Sequence, residues 1–181
     1  MSYSLTSFKS TLAGGGSRPN LFEVSITAPS GITIPTNHTI LCKAANLPAS
    51  NVASIDVPFR GRTFKVAGDR TFDPWTITVI NDQGHAIRRA MEDWMQLIAQ
   101  LEDGSGKMNP SDYMSSAIVT QLKRKSSTLT STAGDGLEKD VAYKFNDIFP
   151  TNVSAIDLSY DSSDTIEEFT VEFQVNYWAH A

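Results

Sequence analysis

Asp69, Arg70 and Asp73 bring two carboxylates and a guanidinium into one short run, Asp69-Arg-Thr-Phe-Asp73. Paired carboxylates can divide acid and base work, and a guanidinium fork can hold a carboxylate or phosphate. No nucleophile–base pair accompanies them. Asp56, Asp69, Asp73 and Asp82 fall mostly at expected turns, where aspartate accepts local backbone hydrogen bonds. The cluster therefore reads in two ways: a local Asp–Arg network that fixes a turn, or a network that orients a loop toward a neighbouring subunit.

Other chemistry finds little support. His38, His85 and His180 are scattered, and Cys42 is the only cysteine, so no Cys/His spacing suggests a zinc site. Gly14-Gly-Gly16 lacks both the strand–helix context and the Lys-Ser/Thr of a phosphate loop. Asp161 to Asp164 lacks calcium-loop spacing. The expectation is a protein without catalysis, metal or cofactor, whose work is done by surfaces.

Composition agrees with that expectation. The 181 residues are enough for one domain with a core, and only 19% are charged. So mild a surface suits extensive protein–protein contact. A formal net charge of -5 disfavours tight, nonspecific capture of nucleic acid. Lys123-Arg-Lys125 is a short basic run, read as a solvated face or subunit contact. A lone Cys42 in an apolar run reads as a core thiol in a chain that does without disulfides. No signal peptide or membrane anchor is expected.

The elements that must position these residues follow from periodicity. Residues 1–18 read as a flexible N-terminal arm, and 19–181 as a single β domain. Phe22, Val24 and Ile26 alternate with polar neighbours and predict a strand. Further strands are expected at about 39–45, 52–59 and 63–67, with tight turns at Arg60-Gly-Arg62 and Gly68-Asp69-Arg70. Trp75, Ile77 and Val79 face a core, with Thr76 and Thr78 opposite. Ile87, Met91, Trp94, Ile98 and Leu101 define one face of a helix at about 82–101, capped by Asn81-Asp82.

Short strands are expected at 117–122 and 141–145, with loops at 126–136 and Asp161–Asp164. A turn is expected at Phe149-Pro-Thr-Asn152, with a new strand from Val153. Phe169, Val171, Phe173, Val175 and Tyr177 predict a long terminal strand with one dry face. The sum is a mainly β, antiparallel sandwich or partly open barrel with one substantial helix.

Several stretches resemble the tail tube proteins of contractile-tailed, T4-like bacteriophages. They are Arg18-Pro-Asn-Leu-Phe22, Cys42-Lys-Ala44 with Leu47-Pro48, Val66-Ala-Gly-Asp-Arg-Thr-Phe72, Trp75-Thr-Ile-Thr-Val79, Asn81-Asp82, Ser116-Ala-Ile-Val119, Pro150-Thr-Asn-Val153 and Tyr177-Trp178. They run in order along nearly the whole chain, which departs from the family near 30–37 and 128–140. The resemblance implies a subunit of hexameric rings that stack into a hollow tube conducting the viral genome after sheath contraction. It implies self-assembly and partnership with tail sheath, tape-measure, baseplate and tail-completion proteins, with double-stranded DNA passing through the lumen unbound. It implies a place in the virion, with assembly in the host cytoplasm. The inner tube or tube initiator of a bacterial contractile injection device is the alternative.

On that reading, Arg18, Arg60, Arg62, Asp69, Arg70 and Asp73 are expected at contacts between subunits or rings. Glu168 and Glu172 are expected on the wet, lumen-facing side of the last strand, and Trp75, Ile77, Val79, Trp94, Phe169 and Phe173 in the core. A β-rich enzyme would need a convergent pocket, and a nucleic-acid-binding module a basic stripe with exposed aromatics. The composition hints at neither.

Overall fold

A computed structural model describes residues 4–12, 16–124 and 137–181. The expected loop at 126–136, Lys125 of the basic run, and Gly14 and Gly15 lie outside the described residues. In chain order the elements are α1 (Leu5–Thr11), β1 (Phe22–Ile26), α2 (His38–Leu41), β2 (Cys42–Ala45), β3 (Ser50–Phe59), β4 (Arg62–Phe72) and β5 (Trp75–Ile80). There follow α3 (Ala86–Ile98), α4 (Pro110–Tyr113), β6 (Ser115–Arg124), β7 (Leu137–Val153), β8 (Glu168–Gln174) and β9 (Tyr177–His180).

Two antiparallel layers share one strand. The first half of β7 lies between β6 and β9, with β1 beyond β6. Its second half pairs with β8, followed by β5 and β2. Phe149 opposes Gln174 and Asn146 opposes Tyr177, so one register runs through both halves. The ladder bends where Asp147 takes a positive φ of 53° and where Val175–Asn176 separates β8 from β9. A strand that bends this way changes layers without losing its partner.

Among the described residues β1 and β2 end the strand order without pairing with each other, so the sheets do not close into a barrel. The result matches the expected antiparallel sandwich or partly open barrel. α2 packs against both end strands. His38 fastens it: Nε2 accepts the Ile26 N–H (3.1 Å) and Nδ1 lies 2.6 Å from the Pro35 carbonyl oxygen. That pair of bonds requires a neutral imidazole with its proton on Nδ1.

The core lies between the layers. Trp75, Ile77, Val79, Phe169 and Phe173 are all buried, as their alternation predicts. Trp75 stacks on Phe145 of the other layer, with ring centroids 4.8 Å apart and planes 14° from parallel. Helix α3 adds Ile87, Ala90, Met91 and Trp94 to the core. The Trp94 indole donates to the Tyr113 carbonyl oxygen at 2.7 Å, which satisfies its buried N–H.

Cys42 is buried, as expected, and its Sγ contacts the Ala44 carbonyl oxygen at 3.5 Å. Burial pushes its thiol from an ordinary 9.0 up to about 11. Stability held by keeping the thiol protonated is complete below pH 9 and is lost as pH rises through about 11. At pH 8 the folded chain should hold roughly 100-fold less Cys42 thiolate than the unfolded chain. Timed labelling with a thiol reagent, native against denatured, checks this.

Several boundaries differ from expectation for identifiable reasons. The helix placed at 82–101 runs only from Ala86 to Ile98. His85 takes φ 52° before it, while Asp82 Oδ1 accepts the Ala86 N–H at 2.9 Å, and Ala99 is extended after it. Leu101 is consequently exposed. The strand expected from residue 39 begins at Cys42, because His38–Leu41 forms a helical turn. Within the arm, Leu5–Thr11 is helical, capped by the Ser4 side chain, and exposes Leu5, Phe8 and Leu12. Phe149-Pro-Thr-Asn152 is strand rather than turn, because a bulge between Pro150 and Asn152 accommodates the missing proline N–H. No new strand starts at Val153, where β7 ends. The long terminal strand is divided at Val175–Asn176 by the change of layer.

Candidate assembly surfaces

β3 and β4 form a hairpin that is its own two-stranded sheet and meets the layers at its root, where Phe72 packs edge-on against Trp178 of β9 with ring centroids 6.0 Å apart. Arg60 (φ 45°) and Gly61 (φ 84°) make its turn, the pair of positive φ values that matches strand twist in a two-residue loop. Direct pairs share a face, so Ile55–Val66 and Val57–Phe64 lie together, joined by Phe59. These five apolar side chains are between 43% and 67% exposed. The reverse face carries Ser54–Ala67, Pro58–Thr63 and the Asp56–Lys65 ion pair at 3.4 Å. An isolated two-stranded hairpin is marginal in water, and one with a bare apolar face calls for a cover.

The candidate joint Asp69, Arg70 and Asp73 lies at the root of this hairpin, but not as a turn. Gly68, Asp69 and Arg70 continue β4, and the register shifts so that Val52 opposes Arg70 while Ser54 opposes Ala67. A bulge there sets Ala53 against both Gly68 and Asp69. A Cβ on Gly68 would come within 3.2 Å of the Ala53 carbonyl oxygen and of the Ile55 side chain, which explains the glycine. Among the described residues Arg70 makes no ion pair with either aspartate. Asp73 instead accepts from Asn51 Nδ2 at 3.0 Å, and its N–H bonds the Ala49 carbonyl, closing the hairpin root. The expected Asp–Arg network is therefore replaced by an Asp73–Asn51 clasp that leaves Arg70 on the exposed surface.

The remaining candidates are dispersed. Arg60 and Arg62 occupy the exposed hairpin tip, with the Arg60 guanidinium 5.5 Å from the Phe59 ring centre. Arg18 is exposed ahead of β1, its carbonyl accepting from Leu21 N–H. Glu168 and Glu172 share the outer face of the β5–β8 pair, opposite Ile80 and Thr76. Glu168 pairs with Lys43 at 2.5 Å. Thr76, Thr78, Thr170 and Gln174 complete a polar, half-buried surface.

A family model described as phage tail tube protein matches residues 17–181. The chain belongs to that family. The tail tube protein gp19 of Enterobacteria phage T4 is 39% identical over 92% of this chain and 93% of its own length. The tail tube protein of Serratia phage KSP90 is 26% identical over 89% and 86% respectively. Among solved structures, the sheath–tube complex of the extracellular contractile injection system PVC aligns at TM-score 0.62 and 17% identity, covering 99% of both chains. The anti-feeding prophage baseplate aligns at TM-score 0.64 and 9% identity, covering 92% of this chain and 95% of that one. At those identities the structures establish a shared fold. Together the findings make this tail tube protein a structural subunit of a T4-like phage tail tube, related in fold to contractile injection tubes.

The sequence reading named the hairpin tip and root but missed the bare apolar face between them. Its signal was present in the alternation Ile55, Val57, Phe59 and Phe64, Val66 on either side of Arg60-Gly61. Alternation marks a dry face without saying whether the same chain covers it.

Proposed function

We propose that the protein forms hexameric rings that stack into a hollow tube, and that the outer face of β5–β8 lines the bore through which viral DNA passes. The observation that carries the bore assignment is the chemistry of that face. Thr76, Thr78, Thr170, Glu172 and Gln174 are polar, and Lys43 is held by Glu168. DNA binding draws its strength from cations that displace counterions from phosphate, and among the described residues this face offers no uncompensated cation. A polyanion passing along it meets weak repulsion and water, so it does not stick. The hairpin bridges one ring to the next, covering its apolar face on assembly. Sheath, tape-measure, baseplate and tail-completion proteins are the partners, assembly takes place in the host cytoplasm, and the protein performs no catalysis.

Virions carrying Glu172→Lys test the bore. The change, at a half-buried position on the outer face, should leave tubes intact while DNA release slows by roughly tenfold or more at low salt and recovers as salt rises, as phosphate contacts do. Unaltered release at all salt concentrations would remove Glu172 from the bore.

A further inference from the structure

We infer that the basic hairpin tip of one copy seats in an acidic pocket on the 154–167 segment of a second copy, joining the two head to tail. The inference rests on the reading that the hairpin bridges copies, and it names the surface that receives it. The tip, Phe59 to Phe64, carries Arg60 and Arg62 and no acid, and Lys65 just behind it is paired with Asp56. Arg60 and Arg62 have no ion pair among the described residues. The segment from β7 to β8 carries Asp157, Asp161, Asp164 and Glu167 and no lysine or arginine. It borders an open surface pocket of about 410 Å³ lined by Asp157, Leu158, Tyr160, Thr165 and Glu167 among others. Leu158 and Tyr160 are strongly exposed, so the pocket offers apolar surface to Phe59 and Phe64 as well as charge to the arginines.

The pocket is held at both ends. Arg88 Nη1 donates to the Ser154 carbonyl oxygen at 2.9 Å, and Asn81 Nδ2 donates to Glu167 Oε2 at 3.1 Å. The Asn81 N–H also bonds the Glu167 carbonyl oxygen. A receptor held in this way loses little freedom when its partner arrives.

The topology decides between the chain's own hairpin and a second copy's. The hairpin leads into β5 at Trp75, through Asp73 and Pro74, whereas Ile80 at the far end of β5 pairs with Glu168 beside the pocket. The two features are thus separated by the length of β5, roughly 20 Å. The hairpin does not fold back over that distance, since the residues near its tip are exposed on both faces. A tip at one end and a complementary pocket at the other make a heterologous contact, which repeats from copy to copy as an open stack.

Charge reversal tests this on the full-length protein, read as the concentration at which tubes appear by sedimentation and electron microscopy. Arg62→Glu, combined with Arg60→Asn to suit the positive φ, should raise that concentration at least about tenfold, as should Asp157→Arg with Asp161→Arg. Circular dichroism confirms that each variant is folded. Mixing the two variants should restore assembly as an alternating stack, because each contact then joins either the reversed tip to the reversed pocket or the two unaltered surfaces, and combining all four changes in one chain should return tubes to within about threefold of wild type. The inference is overturned if the tip variant assembles like wild type, or if the combined chain assembles no better than the tip variant. Wild-type protein that forms no tube would instead defeat the bridging reading itself. Tubes lost on removing the hairpin's apolar face but kept on reversing its tip would retain the bridge and reject this pocket.

Discussion

Threonine in place of Val57, Phe59 and Phe64 is expected to leave a folded monomer that no longer forms tubes. All three side chains are already exposed in the single chain, so their removal costs its stability little. Threonine keeps the β preference of the hairpin and removes only its dry surface. In an assembled tube that surface would be buried. Burial of a large apolar side chain is worth about 1.5–3 kcal/mol when complete, so three partial burials sum to roughly 4 kcal/mol or more per contact. Every 1.4 kcal/mol is about tenfold in a dissociation constant, which places the effect near a thousandfold per contact. Sedimentation shows whether tubes persist, and thermal melting shows whether the monomer has been spared. Thr63→Ser, on the opposite face, is the matched change that should do neither.

The second large effect lies in the core. Trp75→Ala should destabilise the monomer by about 3–5 kcal/mol, a large part of the roughly 5–15 kcal/mol that holds a domain folded. Trp75 has no exposed surface, stacks on Phe145 and lies 5.2 Å from the Phe173 ring centre, so alanine opens the junction of the two layers. A domain of this size should melt about 10 °C or more lower. Trp75→Phe should be far milder, near 1 kcal/mol, because the indole Nε1 has no protein partner to lose and an aromatic ring still meets Phe145. Denaturant titration of both variants checks the difference. A mild alanine variant would mean that the two layers are not joined through Trp75.

These two sites mark how far the sequence could be read. Trp75, Ile77 and Val79 were legible because a strand buried on one face must alternate, and that face is covered within the chain. The same holds for Phe169 and Phe173, and for Ile87, Met91 and Trp94 at helical spacing. Ile55, Val57 and Phe59 alternate just as clearly, yet their face is bare. Sequence records the need for a cover, and only the fold shows that the described residues do not supply one.

The misread segments share a different cause. Gly68-Asp69-Arg70 and Phe149-Pro-Thr-Asn152 carry turn-forming residues, but in each place the chain uses them for a bulge within a strand. Glycine serves a turn through its freedom and a bulge through its small size, and composition does not separate the two. The bend at Asp147 and Val175–Asn176 has no local signature either. It depends on two strands keeping one register while they change layers. Of the candidate contacts, Arg60 and Arg62 fall on an exposed tip, whereas Asp73 serves its own hairpin by holding Asn51.

On the proposed function, copies of this chain stack through the hairpin into a hollow tube. Cryo-electron microscopy of the purified full-length protein tests it most directly. Hollow cylinders of six-subunit rings are expected, with each β3–β4 hairpin crossing to the next ring and its apolar face buried there. Cylinders in which that face remains in solvent, or a protein that stays monomeric at high concentration, would contradict it.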